Sequence, residues 1–383
     1  MKVSVALCLA LGLAVAVAAE PLMLQPAQNI HAGGAPLNPG GQAIPCVVDW
    51  NGDGLPDLVV GYQPAFKVAV YLNSGSTTQP LFAGFTNVQA GGVDIYHWSA
   101  GCGSPAPWVC DYDGDGKRDL LVGAGADGKV WFYRNTNTDA NPMLTSGVTL
   151  LKSGSELNVG ARATPYVHDW DEDGLPDLLC GDANGYVHLF KNTGTRQSPV
   201  YLKDVLILAG GSALNLSYRS VVRVCDWDGD GVKDLLGSGS DNAAWCRNTG
   251  DNSSPVLSSP TRLQSPVSGV GLANIDTGYR MRLGVVDWNQ DGLPDLLIGN
   301  WDGYIYFYES YRFLLTGWSL RAGNQGVLEW NSAPFLKYNL LAGSTVNDLE
   351  GVVATNLPSG GRVTRWTNSL AGDCQFLRVQ LAQ

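Results

Sequence analysis

Charge is scarce in this chain. Only 15% of its 383 residues are Asp, Glu, Lys or Arg, and 24 Lys and Arg stand against 35 Asp and Glu, a formal charge of −11. Binding along a nucleic-acid backbone needs a basic face, so this balance argues against that role. Histidine is scarcer still: His31, His97, His168 and His188 are the only four, and no HExxH, CxxC, GxSxG or Walker loop occurs. Zinc-hydrolase, zinc-ribbon, serine-hydrolase and P-loop chemistry therefore find no support. Beyond residue 19 no apolar run is long enough to cross a bilayer as a helix. What is plentiful is turn-forming and aromatic: 48 Gly and 20 Pro, with 12 Trp, 15 Tyr and 9 Phe. Disordered chains lack such apolar surface, so the composition predicts many short strands joined by turns.

The N-terminus has its own pattern. Lys2 precedes an apolar run from Val3 to Ala19 that ends in small residues. A charged start, an apolar middle and a small-residue end predict a secretory signal peptide over 1–19, cleaved after Ala19. The mature protein is expected to be secreted, periplasmic or on the cell surface. Outside the signal peptide stand seven cysteines, an odd number that cannot be fully paired within one chain. Cys110 and Cys225 precede an Asp where Val48, His168 and Val286 also occur, which suggests small core residues. Cys102 and Cys110 form the one local pair worth testing as a disulfide.

The chain is built from a repeat. Asp49-Trp-Asn51-Gly-Asp53-Gly-Leu55-Pro-Asp57 returns as Asp111-Tyr-Asp113-Gly-Asp115-Gly-Lys117-Arg-Asp119 and as Asp169-Trp-Asp171-Glu-Asp173-Gly-Leu175-Pro-Asp177. It returns again as Asp226-Trp-Asp228-Gly-Asp230-Gly-Val232-Lys-Asp234 and as Asp287-Trp-Asn289-Gln-Asp291-Gly-Leu293-Pro-Asp295. Successive starts lie 62, 58, 57 and 61 residues apart. A period near sixty means stacked or radial units.

Each unit has the same grammar. A short apolar strand leads into the acidic loop. A second strand follows, as in Leu58–Gly61 or Leu178–Gly181, then an Asp-Gly or Asn-Gly turn such as Asn184-Gly185. A third strand mixes aromatic and aliphatic residues, as in Tyr186–Phe190, and a Pro-led fourth follows, as in Pro199–Ala209. Four antiparallel strands per unit predict a β-propeller blade, with a sandwich or open solenoid as the alternative. Five acidic loops but only four internal Pro-led strands place the missing one at 21–34. That segment would complete the blade of 283–309 and remove a sheet edge.

Asp or Asn occupies the first, third, fifth and ninth positions of every loop, with Gly at the sixth. Alternating side-chain oxygens can converge on one point if the loop coils, and hard oxygen ligands at this density suit Ca²⁺. An EF-hand is excluded: its twelfth-position Glu is replaced by Val60, Val122, Cys180, Gly237 and Ile298. Eighteen of the 35 acidic residues stand at these four loop positions, and the other 17 are outnumbered by 24 Lys and Arg. Five Ca²⁺ would bring the formal −11 to about −1.

These loops resemble the calcium loops of FG-GAP/VCBS repeats, the blades of integrin α-chain heads, some fungal lectins and many secreted bacterial proteins. The resemblance covers about residues 21–310. It implies a five-bladed calcium-binding propeller over 20–310, with about five structural Ca²⁺. It implies ligation by the side chains of positions one, three, five and nine and by the backbone carbonyls of Leu55, Lys117, Leu175, Val232 and Leu293. Asn51 and Asn289 keep an oxygen but lower the charge, so the first and fifth sites are expected to bind more weakly.

The aromatics that follow the first loop Asp (Trp50, Tyr112, Trp170, Trp227, Trp288) are too regular for a ligand site and predict packing between blades. Irregular ones are better candidates: Tyr96, Trp98 and Trp108 before the second loop, Tyr279 before the fifth blade and Trp301 in its hairpin turn. Aromatic faces stack on sugar rings, and concave surfaces host ligands. Residues 311–383 lack the acidic loop and read as six or seven short strands, a small C-terminal β-sandwich. The whole predicts an exported monomer that binds a glycan or a cell-surface protein without catalysis. A polysaccharide lyase or hydrolase and a structural envelope protein are the alternatives.

Overall fold

The computed structural model describes residues 4–8, 13–15, 21–97, 103–321, 325–343, 351–369 and 376–382. Among them the chain is all-β, without a helix. Among the described residues no helix is long and apolar enough to cross a membrane.

Five four-stranded antiparallel sheets follow one another along the chain. In the third, Thr164–His168 pairs with Asp177–Gly181, which pairs with Val187–Phe190, which pairs with Val205–Leu206. Sheets one, two and four repeat that order, starting from Ile44–Val48, Ala106–Cys110 and Val221–Cys225. The fifth uses Arg282–Val286, Asp295–Gly299 and Ile305–Tyr308, and its outer strand is Gln28–Asn29 from the other end of the chain. Each acidic loop joins the first strand of a sheet to the second. The outer strands are shorter than the sequence suggests. Each is a two-residue rung that breaks into a separate hairpin, such as Leu208–Ala209 with Ser212–Ala213.

The second strand of each sheet is buried along its whole length, for example Asp119–Gly123. That explains its unbroken apolar run, since a strand covered on both faces has no solvent side to alternate with. Innermost strands pack on their neighbours in chain order, and Arg282–Val286 packs on Ile44–Val48. The approach is closest where the second strand ends in glycine. A Cβ at Gly123 would lie 2.0 Å from the carbonyl oxygen of Ala163 in the next sheet, and one at Gly299 would lie 2.1 Å from that of Ala43 in the first. Between sheets four and five the Ser238 hydroxyl takes over, donating to Met281 O (3.2 Å) and accepting from Leu283 N (3.0 Å). Because backbone cannot yield as a side chain can, Gly123→Ala is expected to destabilise by more than ~2 kcal/mol. Urea unfolding of that variant checks it.

The strands from Leu315 onward form two further sheets. Leu315–Arg321, Gln325–Asn331 and Val363–Ser369 make one; Lys337–Gly343, Gly351–Pro358 and Phe376–Leu381 belong to the other. The second sheet also takes in Ser4–Cys8, paired with Phe376–Leu381, and Leu13–Val15. Both sheets contribute to one apolar layer that includes Leu328, Trp330, Trp366, Tyr338 and Leu377. Met23 and Tyr311 join that layer, which ties it to the fifth repeat. Cys46, Cys110, Cys180, Cys225 and Cys246 are free thiols, so the Cys102–Cys110 disulfide is not formed. Cys102 itself lies outside the described residues.

Candidate functional site

The acidic loops coil in the same way in every repeat. One carboxylate oxygen of the first Asp accepts the N–H of the sixth-position Gly, at 3.1 Å for Asp49, 3.2 Å for Asp111, 3.0 Å for Asp169, 2.9 Å for Asp226 and 2.9 Å for Asp287. The fifth-position Asp accepts the N–H of the seventh residue in all five. The sixth-position glycines hold φ between +85° and +89°, the left-handed region open to a residue without Cβ. The fourth position is left-handed too. Glu172 (φ 54°) and Gln290 (φ 60°) adopt there what Gly52, Gly114 and Gly229 adopt elsewhere.

The ninth Asp has a second task. Asp57, Asp119, Asp177, Asp234 and Asp295 are each fully buried. In the third repeat Asp177 Oδ2 accepts the Trp170 N–H (3.3 Å) and Oδ1 the Asn192 N–H (2.7 Å). The same two bonds recur in the other repeats, to Asn73, Asn135, Asn248 and Ser310. The carboxylate thus pins the loop to the end of the third strand. The asparagine relays the order outward: Asn192 Oδ1 accepts the N–H groups of Gly194 and Val200. Sequence reasoning missed these asparagines, although their recurrence after the third strand was a visible signal.

Loops two, three and four gather carboxylates most tightly. Oxygens of Asp111, Asp113 and Asp115, of Asp169, Asp171 and Asp177, and of Asp226, Asp228 and Asp230 lie within 4.8 Å of one another in each set. Loops one and five, with Asn51 and Asn289, are absent from these sets among the described residues. There the amide nitrogen turns inward, Asn51 Nδ2 donating to Asp53 Oδ2 at 2.9 Å. Asp111 Oδ1, Asp113 Oδ1, Asp169 Oδ1 and Asp171 Oδ1 are buried and accept no hydrogen bond. Buried acceptors are ordinarily satisfied, and a hard divalent ion fits these unbonded oxygens.

The electrostatics agree. Burial pushes the carboxyls of Asp119, Asp177 and Asp234 up to about 6 and that of Asp295 up to about 7, against their backbone donors. Asp113 and Asp228 are raised by burial too, and their loop neighbours add repulsion. Basic side chains offset part of this. Arg134 Nε lies 2.7 Å from Asp113, Arg247 Nε lies 2.6 Å from Asp228, and Lys191 pairs with Asp171. From neighbouring segments, Arg118 donates to Asp49 O and Arg312 to Asp228 O.

No histidine joins these carboxylate sets among the described residues. His97 is bonded to Tyr133 Oη (2.7 Å) and burial lowers it to about 4. His168 stacks on Tyr166 and is likewise lowered to about 4 by burial. Burial opposes protonation of His188, but Asp182 and Asp204 outweigh it and raise the group.

The aromatic candidates separate. Tyr279 and Trp301 come together, ring centroids 6.1 Å apart, with the Arg280 guanidinium 3.9 Å from the Trp301 centroid. Trp108 lies on an inner strand between Tyr166 and Arg223. Tyr96 is exposed beside Phe66, and Trp98 lies outside the described residues. Of the regular aromatics, Tyr112, Trp227 and Trp288 are buried.

The FG-GAP-like repeat model matches residues 169–237, and the FG-GAP repeat model matches 109–133. Integrin alpha-4 of Xenopus laevis is 29% identical over 161 residues, covering 39% of this chain; the chain spans 15% of that relative's length. A solved lectin of Agrocybe aegerita, described as recognising non-reducing terminal N-acetylglucosamine, is 15% identical over 95% of this chain and 99% of its own, with a TM-score of 0.38. The exo-beta-1,3-galactanase of Phanerochaete chrysosporium is 9% identical over 94% and 96%, with a TM-score of 0.43. The family models fall on the second, third and fourth copies of the loop whose hydrogen bonds recur in all five, so the chain carries FG-GAP repeats.

Proposed function

We propose that the chain is an exported, calcium-stabilised binding protein that recognises a glycan or a cell-surface ligand without catalysis. The five sheets are the blades of one closed propeller over 20–310, sealed by the outer strand Gln28–Asn29. The sheets of 311–383 form a separate C-terminal sandwich. Each acidic loop holds one structural Ca²⁺ through the side chains of positions one, three, five and nine and the seventh carbonyl.

The observation that carries this reading is the set of buried loop carboxylate oxygens without hydrogen-bond partners. Ions there would be enclosed by protein oxygens, which suits a scaffold rather than a reaction centre. A scaffold of this kind leaves recognition to its surface loops, where Tyr279, before the fifth sheet, and Trp301, in that sheet's hairpin turn, stand together. Residues 1–19 are read as the export signal. Their removal would turn Phe376–Leu381, which pairs with Ser4–Cys8, into an edge strand. Mass spectrometry of the exported protein is expected to find Glu20 at its N-terminus, and an intact Met1 refutes cleavage.

A broad glycan and polysaccharide array in millimolar Ca²⁺, with product analysis of every bound polymer, tests the function. Binding with no change in the polymer is the expected result. Shortened or unsaturated products would overturn the non-catalytic reading.

A further inference from the structure

Two residues before each inner strand, at equivalent places, stand Gln42, Ser104, Arg162, Arg219 and Arg280. Four of these hold a left-handed backbone without being glycine: Gln42 at φ 55°, Arg162 at 57°, Arg219 at 66° and Arg280 at 61°. Such a conformation costs free energy in an L-residue and persists only where the surroundings impose it. Here it aims three guanidinium groups at one ring. The Arg162, Arg219 and Arg280 groups lie 6.0, 4.8 and 6.0 Å from the centroid of Tyr218.

The cluster is ordered from below. Arg219, only 2% exposed, donates to Gln42 Oε1 (2.8 Å) and to Tyr218 Oη (3.3 Å). Its Nε is buried without a hydrogen-bond partner. Arg282, also buried, donates to the carbonyls of Arg219 (3.2 Å) and Met281 (2.8 Å). Among the described residues no carboxylate forms an ion pair with Arg219 or Arg282. Burial and then the neighbouring arginines lower Arg282 to about 9; burial, with Arg162 and Arg280 adding to it, lowers Arg219 to about 10. Above them Arg280 stacks on Trp301 and Tyr279, while the Tyr218 and Tyr279 rings stay exposed.

Gathering positive charge away from water is costly unless an anion joins it. Guanidinium forks bind carboxylate and sulfate oxygens in pairs, and stacking on aromatic rings holds the forks in place. Exposed aromatic rings beside them offer flat apolar faces of the kind a sugar ring lies on. Resting on the reading of the chain as a binding protein, we infer that this cluster is its ligand site and takes an acidic saccharide. The carboxylate or sulfate sits on Arg162, Arg219 and Arg280, and the sugar ring lies against Tyr218 and Tyr279.

The test is calorimetric titration of the protein in Ca²⁺ with four probes: a hyaluronan hexamer (carboxylate only), a chondroitin-sulfate hexamer, chitohexaose (neutral) and hexaglutamate. At least one acidic hexamer is expected to bind about tenfold or more tightly than chitohexaose and hexaglutamate, and the two hexamers tell carboxylate from sulfate. Arg280→Gln, and independently Arg162→Gln should the first misfold, are expected to weaken that binding about tenfold or more with the melting temperature unchanged. Chitohexaose bound as well as the acidic hexamers, hexaglutamate bound best, binding unchanged in both variants, or no probe bound would each overturn the inference. A wild-type protein that binds neutral glycans on the array, with both variants unaffected, sinks this site and leaves the proposed function standing.

Discussion

Excess EDTA is expected to lower the melting temperature by more than ~10 °C, and millimolar Ca²⁺ to restore it. The buried Asp111, Asp113, Asp169 and Asp171 oxygens that accept no hydrogen bond are the reason. Ligands gathered only in the folded chain make metal binding a folding term. One site with free Ca²⁺ a thousandfold above its Kd contributes about 4 kcal/mol. For about 150–250 residues 1 kcal/mol moves the midpoint by about 2–4 °C, and for a larger unit by somewhat less, so losing two sites suffices. Loops two to four should dominate, because Asn51 and Asn289 remove a charge from loops one and five. A competing account is visible in the structure: Arg134, Lys191 and Arg247 already pair with third-position carboxylates. If those cations alone neutralise the loops, the melting temperature will not respond to EDTA, and the metal assignment falls.

Asp177→Ala is expected to cost about 3–5 kcal/mol, and much of that loss should remain in EDTA. The variant strands the Trp170 and Asn192 N–H groups in the interior, and each unsatisfied buried donor costs about 1–3 kcal/mol. Asp173→Ala is the control. Asp173 is exposed, and the Leu175 N–H it accepts can turn to water. Its cost should therefore appear in Ca²⁺ and largely vanish in EDTA. Urea unfolding of both variants with and without Ca²⁺ separates the two tasks of a loop carboxylate. Equal losses that both disappear on chelation would refute the structural task assigned to the ninth position.

Much of this protein is written in local chemistry. The alternating Asp and Asn, the glycine at the sixth position and the Asp-Gly turns act over a few residues. They determine how a loop coils and a hairpin reverses wherever the unit sits. Five copies in register therefore revealed the repeat, its four strands and the acidic loops. Even the pairing of Gln28–Asn29 with Ile305–Tyr308 followed from counting strands. Other features depend on which repeats become neighbours. Asp177 reveals its second task only where the third strand brings Asn192 beside it. Trp108, set among surface candidates by its Gly-rich surroundings, faces Arg223 and Tyr166 because its strand is an inner one. The arginines at 162, 219 and 280 are about sixty residues apart, in loops of unlike sequence. Only the packing of five inner strands brings them onto one tyrosine, because charges and rings interact through distances that the tertiary structure sets and the local sequence does not.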